Sequence, residues 1–269
     1  MPAYYQYLMT ENDLSAENIT SGLETRFVGQ RTLYFPSLTT TMEVARQEAI
    51  DGAPEGTAII AGEQTAARGR LHRVWLTPQG NIALSVVLYP HREHLHSLIM
   101  MTSLAVARSI EVVTSLRTEI KWPNDILIGG KKVCGILIES DVRPDRVNYA
   151  IVGIGMNINL NVADFPEIHA TATSLSHELG KEVSRLSLVR CLLSEIEFFY
   201  LASTAGDAVY EQWQRKLITL GKEVRAVSAT GETALTGIAE SVGRDGSLWL
   251  RLEDDSLTRV LAGDVTLKE

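Results

Sequence analysis

An α+β domain followed by a small β-barrel is the architecture that the patterning of these 269 residues predicts. Apolar residues recur at helical spacing in some segments, most clearly 95–116, and form short β-rich runs in others. From Gly221 the character changes: KEVRAV, TALTGIAESV, SLWLRLE and LTRVLAG read as four short strands separated by Gly or Asp turns. At about 150 residues per domain, the length allows one to two domains. The resulting partition is an N-terminal extension over 1–38, a main domain over 39–220 and the barrel over 221–269.

Residues 1–38 are polar and mixed, with room for one short helix over 14–26. Residues 39–50 read as a helix: threonine caps the start, Met42, Ala45 and Ala49 share a face, and Asp51-Gly52 stops it. TAIIA at 57–61 is a short apolar strand, and 62–78 is a charged, aperiodic loop. Residues 82–89 are β-rich and end at Pro90. Residues 95–116 lack glycine and read as a buried helix. Short strands follow near 126–128, 132–139 and 148–157, with Gly-Gly and Arg-Pro-Asp turns between them. Residues 174–179, 185–202 and 208–217 read as helices. In the barrel, Leu248, Leu250 and Leu252 alternate with Trp249 and Arg251, the pattern of a half-buried strand.

Composition excludes several classes. Apolar residues make up 45%, enough to offset the ordering entropy that keeps disordered chains unfolded. The 20 glycines follow no collagen-like period. The 25 basic and 33 acidic residues leave a net charge of -8, which argues against nucleic-acid binding through overall charge. Cys134 and Cys191 cannot make a disulfide framework in a chain this long, and suggest a reducing compartment. MPAYYQYLMTENDL has neither the basic nor the apolar region of a signal peptide. The β-rich apolar runs are too short to span a bilayer. A soluble cytoplasmic protein, without membrane or nucleic-acid partners, is the expectation.

Motifs for nucleophilic or metal chemistry are missing: there is no GxSxG, HExxH or CxxC. HREHLH at 91–96 reads as a solvated helix entrance rather than a ligand cluster. GGKK at 129–132 lacks the spacing of a phosphate-cradling loop. Gly153-Ile154-Gly155 opens no helix and is no dinucleotide fingerprint; it suggests a bulge or a flat surface for a ring. What remains are anion-binding and positioning groups. In Gln64–Arg70 (QTAARGR), Arg68 and Arg70 flank Gly69, so backbone N–H groups and guanidinium forks can converge on one anion; a solvated basic turn is the alternative. Lys121-Trp122-Pro123-Asn124-Asp125 is either a ligand-orienting element or a structured turn. On a regular strand Lys132 would share a face with Cys134, Ile136 and Ile138, opposite Gly135, which permits close backbone approach. Together these are parts for joining two anions without a protein nucleophile, by positioning and electrostatics.

ARGRLHRVW, KWPNDILIGGKKVCGILIE and GIGMNIN, in this order, resemble biotin protein ligases, from about residue 33 to the chain end. The resemblance implies a mixed, class II synthetase-like sheet with helices on one face, and an SH3-like C-terminal barrel. It implies a carbon–nitrogen ligase that makes biotinyl-5′-AMP from biotin and ATP with Mg²⁺. The biotin then passes to a lysine of a biotin carboxyl carrier domain, such as that of acetyl-CoA carboxylase. By motif, biotin contacts fall on Thr40, Thr41, Gln64, Arg68, Gly69, Arg70, Lys132 and Gly135. ATP contacts fall on Arg70, Trp75, Asn124, Asp125, Lys132 and Asn157, with Asp125 as the metal ligand. Lys132 and Arg68 take the catalytic roles, Lys132 bridging the biotin carboxylate and the α-phosphate. The chain departs from the family pattern at Met42, Ala67 and Leu71-His72. Residues 1–38 offer too little length for the DNA-binding repressor module of some members, and a homodimer joined through sheet edges is a further implication. Competing functions are a lipoate or octanoate ligase or transferase, and a non-catalytic biotin-binding regulator.

Overall fold

The computed structural model describes residues 14–203, 208–228, 234–261 and 263–267. Residues 1–13 of the expected extension, Thr233 of the second barrel strand and Ala262 of the fourth lie outside that set. The helices are α1 (Ala16–Thr20), α2 (Thr41–Ile50), α3 (Ser97–Thr114), α4 (Leu175–Leu179), α5 (Arg185–Ser203) and α6 (Ala208–Lys216). Strands β1 (Thr32–Phe35), β2 (Ala58–Ala61), β3 (Ile82–Leu88), β4 (Glu119–Lys121), β5 (Asp125–Ile128), β6 (Lys131–Val142) and β7 (Val147–Met156) make a seven-stranded sheet. Its order is β1-β2-β3-β7-β6-β5-β4. β1 runs parallel to β2 and the other neighbours are antiparallel, so the sheet is mixed, as expected.

The period of two along the strands divides the core. Ile60, Leu84, Val86, Val152 and Ile154 face one way and pack with Leu98, Met101 and Leu104 of α3 and with Leu192 and Ile196 of α5. Ile59, Val87 and Ile151 face the other way and receive Met42, Ala45 and Ala49 of α2. The long helices therefore share one face, while short α2 covers part of the other and leaves the rest open. α3 has the length and hydropathy of a bilayer-spanning helix, but two thirds of it is buried inside the protein.

Two strands carry no legible signal. β1 is four residues long and only partly buried, and β4 has a single core residue, Ile120. The C-terminal segment forms a second, antiparallel sheet of β8 (Glu223–Ser228), β9 (Ala234–Val242), β10 (Leu248–Arg251), β11 (Leu257–Val260) and β12 (Gly263–Leu267). Its order is β11-β10-β9-β8-β12. Five strands thus stand where four were expected: LTRVLAG supplies β11 at one edge, and GDVTL, beginning at its last residue, adds β12 at the other. Two intervening residues can span only about 11 Å from one strand end to the next start, so the two edges meet at that corner and the sheet curls.

The hairpin joining β5 to β6 sets the site. Gly129 (φ 57°) and Gly130 (φ 78°) both adopt the left-handed conformation that a tight two-residue turn requires, with Ile128 opposite Lys131. The register then slips: Leu127 pairs with Lys132 but Ile126 pairs with Cys134, so Val133 is an extra, bulged residue. The bulge reverses the strand's phase. Val133 and Cys134 are both buried in the core, and Lys132 moves to the face of Gly135 and Leu137. The expected sharing of a face with Cys134, Ile136 and Ile138 is therefore corrected; a uniform period of two cannot anticipate a bulge.

Candidate active site

A cavity of about 370 Å³ opens on the sheet face beside α2, within the size range of small-molecule sites. Thr40, Thr41, Gln64, Arg68, Gly69, Arg70, Trp75, Asn124, Asp125, Lys132, Gly135 and Asn157 all line it. The fold thus gathers all the expected biotin- and ATP-site residues from five separate segments.

One end is a network of neutral hydrogen bonds. Thr40 caps α2, its hydroxyl accepting from the Met42 N–H at 3.3 Å. Gln64 Oε1 accepts from the Thr41 N–H (2.7 Å) and the Thr41 hydroxyl (3.1 Å). Because a backbone N–H can only donate, this contact fixes which way the Gln64 amide points. Its Nε2 therefore faces Thr77 Oγ1, at 3.3 Å. Met42 lies alongside, its thioether over Gly153 where a Cβ would collide with it.

The floor is built from glycine. Gly135 and Gly155 are cross-strand partners, and a Cβ on Gly155 would overlap the Trp75 indole. A Cβ on Gly135 would sit 3.2 Å from the same ring. No bulge interrupts β7 at its glycines; the flat surface expected there exists, and the ring lying on it is the protein's own Trp75. Backbone bonds from Gly69 N to Arg73 O (2.7 Å) and Trp75 N to Ala67 O (3.1 Å) fold the intervening loop over the cavity. Leu71, one of the departures from the family pattern, holds a left-handed φ of 54° in that loop. Left-handed backbone disfavours a branched side chain by about 1–2 kcal/mol.

The other end is charged. Lys132 Nζ lies 2.5 Å from Asp125 Oδ1 and 5.1 Å from the Trp75 ring centroid. Asn124 anchors this corner: its Nδ2 donates to Ile136 O (2.7 Å), its carbonyl accepts from Ile136 N, and its Oδ1 accepts from Arg70 (3.2 Å). Asn157 donates from Nδ2 to Thr173 O (3.1 Å) and from its backbone to Val133 O, tying the 157–173 loop to β6. The cis Trp122-Pro123 turn is an anchor as well, since the buried Trp122 donates from Nε1 to Gly246 O in the β9–β10 turn at 2.8 Å. Behind Lys132, burial pushes the Cys134 thiol far above the ordinary range, so it stays a neutral packing group. The Arg68 side chain is exposed at the cavity rim.

Several contributors carried no sequence signal. The Lys121 of the KWPND motif sits directly across the hairpin from Asp125, a pairing that needs the β4–β5 register to see. Ile168, Thr171 and Ala172 reach the cavity because Lys132 bridges Ala172, and Val265 and Thr266 arrive from β12. Among the described lining residues five are basic (Arg68, Arg70, Arg73, Lys121, Lys132) and one is acidic (Asp125).

The chain is similar to known proteins in both sequence and fold. Residues 34–157 match the biotin/lipoate A/B protein ligase family. The bifunctional ligase/repressor BirA of Bacillus subtilis is 34% identical over 98% of this chain and 82% of its own length. The biotin–[acetyl-CoA-carboxylase] ligase of Paracoccus denitrificans is 33% identical over 76% of this chain and 89% of its own. Among solved structures, the biotin protein ligase from Aquifex aeolicus in complex with biotin and ATP superposes with a TM-score of 0.75. It is 27% identical and covers 89% of this chain and 99% of that one.

Proposed function

The chain belongs to the biotin/lipoate A/B protein ligase family, and from that premise we propose how its cavity works as an ATP-dependent biotin protein ligase. The observation that carries the reading is one cavity with two chemically distinct ends, a fixed donor–acceptor pair at Gln64 and Thr41 and a cationic cluster around Lys132. With its orientation fixed, Gln64 keeps one Nε2 hydrogen beyond the bond to Thr77, and Thr41 Oγ1 keeps acceptor capacity. A ureido group supplies the matching acceptor and donor. A dithiolane or alkyl chain supplies neither and would leave buried polar groups unpaired, at about 1–3 kcal/mol each. This favours biotin over lipoate or octanoate. Thr40, Thr41 and Gln64 hold the ureido end, and Gly135 gives the Trp75 ring and the Lys132 ammonium room to lie close over β6 beside the ligand.

The biotin carboxylate then reaches the charged end. One of its oxygens attacks the α-phosphorus of ATP, the bond to the β-phosphate oxygen breaks, and pyrophosphate leaves with both electrons. Lys132 stands between the two anions and offsets their repulsion, while Arg68, Gly69 and Arg70 close over the adenylate. Trp75 and Asn157 wall the nucleotide. The acceptor lysine amine next attacks the acyl carbon, AMP departs, and the amide bond remains. Removing one preorganised charge-stabilising donor typically costs about 10²–10³ in rate.

Magnesium is assigned through Asp125. Among the described residues no three His, Cys, Asp or Glu side chains form a cage. Mg²⁺ fits such a site because it is commonly held by one or two carboxylates and the nucleotide's own phosphates. Asp125 is the carboxylate in place, and the ion would neutralise phosphate charge there.

The test is pyrophosphate release and labelling of a purified carboxyl carrier domain, with ATP and either biotin or lipoate. Biotin-dependent release and labelling are expected. Turnover with lipoate alone would overturn the assignment.

A further inference from the structure

We propose that Ser85 is a positioning residue for ligand recognition, acting through the Thr41 hydroxyl; this rests on the biotin ligase function argued above. β3 reads IALSVVL, and all seven residues are buried. Ser85 is its one polar member and is fully inaccessible. Burying a hydroxyl in a strand costs free energy unless a hydrogen bond recovers it, and alanine or valine would serve packing as well or better. Among the described residues the Ser85 hydroxyl has one partner, Thr41 Oγ1 at 2.8 Å.

The direction of that bond is determined. Thr41 N fixes Gln64 Oε1 as the atom facing Thr41. That oxygen can only accept, so the single Thr41 hydroxyl hydrogen goes to it, at 3.1 Å. Ser85 must then be the donor to Thr41. The chain Ser85→Thr41→Gln64 pins the hydroxyl's rotation, leaving one lone pair of Thr41 Oγ1 directed at the cavity. It fixes Thr41 as an acceptor toward ligand and so selects a ligand N–H there. Ser85 does not line the cavity; it lies one layer beneath, paired across strands with Ile59 and with Gly153. Its influence on ligand therefore passes through Thr41.

Ser85→Ala is expected to raise the KM and Kd for biotin about five- to tenfold, the value of one neutral hydrogen bond. The KM for ATP and kcat at saturating biotin stay within twofold. A general loosening of the fold would move the two substrates together, so this split separates positioning from structure. In a Thr41→Val background, Ser85→Ala should add no further loss, because its target is already gone. Ser85→Cys keeps the volume with a weaker donor and should give a smaller loss of the same kind, which tests the idea even if the alanine variant does not fold. An unchanged biotin KM in Ser85→Ala, an equal shift for ATP, or additivity with Thr41→Val would each overturn the proposal. Failure of the unaltered protein to bind biotin by calorimetry would instead overturn the ligase function on which it rests.

Discussion

Replacing Gly155 by alanine should damage ATP use far more than the fold. Gly155 lies outside the positive-φ glycines, so an alanine meets no backbone strain. The conflict is steric: the new Cβ would fall within 3.0 Å of three Trp75 indole atoms, including Nε1 and Cε2. Overpacking of this kind costs roughly 1–3 kcal/mol when the neighbour cannot leave. Here the neighbour is carried on a loop and is partly exposed, so the indole can swing off the floor. The penalty is then capped by the contacts Trp75 gives up, and the variant can lose no more than Trp75→Ala loses. With Trp75 as a wall of the nucleotide site, 1–3 kcal/mol corresponds to about a 5- to 150-fold rise in the KM for ATP. Pyrophosphate release at varied ATP and saturating biotin measures it. Gly153→Ala is the control, because its Cβ meets the Met42 thioether at the other end of the cavity and should move the biotin KM instead. The double variant Gly155→Ala/Trp75→Ala should match Trp75→Ala alone. An unchanged KM for ATP, or additive losses in the double variant, would refute the argument.

Lys132→Ala should keep the fold, since the side chain is 31% exposed, but lose adenylation by at least about 10²-fold; near-normal pyrophosphate release would contradict its proposed place between the anions. Arg68→Gly should speed adenylate dissociation, followed by release of labelled biotinyl-AMP, because a guanidinium fork is removed from the closing loop. Acid stability should depend on Glu111: burial alone would raise its pKa, but hydrogen bonds from Lys216 and Thr118 outweigh burial and hold it below the usual 4.5. A depressed carboxyl stabilises the fold above its unfolded pKa and loses that contribution as pH falls through the folded value. Urea melts of Glu111→Gln should therefore show a flatter loss of stability below about pH 4.5 than the parent chain, and parallel curves would contradict the sign.

The charged members of the site were legible because their residue types are expensive to place together without purpose, whereas Thr40, Thr41 and Asn157 came only from the family resemblance. Two arginines flanking Gly69, Asn124-Asp125 after a Trp-Pro pair, and Lys132 ahead of Gly135 each stood out locally, and the sheet brings them to one cavity. Their geometry was not legible, for two reasons. The bulge at Val133 shifts Lys132 to the opposite face, and nothing in KKVCGILIE marks it. Ala172 and Thr266 reach the cavity only through strand register and long-range packing. Secondary structure follows the same division. The long periodic helices α3 and α5 were plain, whereas β1 and β4 are too short to establish a period and exist because neighbours supply their hydrogen bonds. Ser85 sits between these cases. A lone serine in an apolar strand is visible in the sequence, but its reason appears only when Thr41 is seen above it.

The charge balance connects the whole chain to this site. The protein carries a net -8, yet its cavity sets five basic side chains against Asp125. A carboxylate and a triphosphate approaching each other in a cleft need that local excess, because the surrounding field of an acidic protein opposes both. The two ends of the cavity then divide the work. On the proposed function, neutral hydrogen bonds at Thr41 and Gln64 would recognise shape and donor pattern, and such bonds are little affected by salt. The cations at the other end would, on the proposed function, draw in the nucleotide, and their pull over more than about 8–10 Å is screened at ordinary ionic strength. Added salt should therefore weaken ATP capture while leaving biotin affinity nearly constant. A matched loss of both would mean that recognition and activation are not separated along the cavity as its lining indicates.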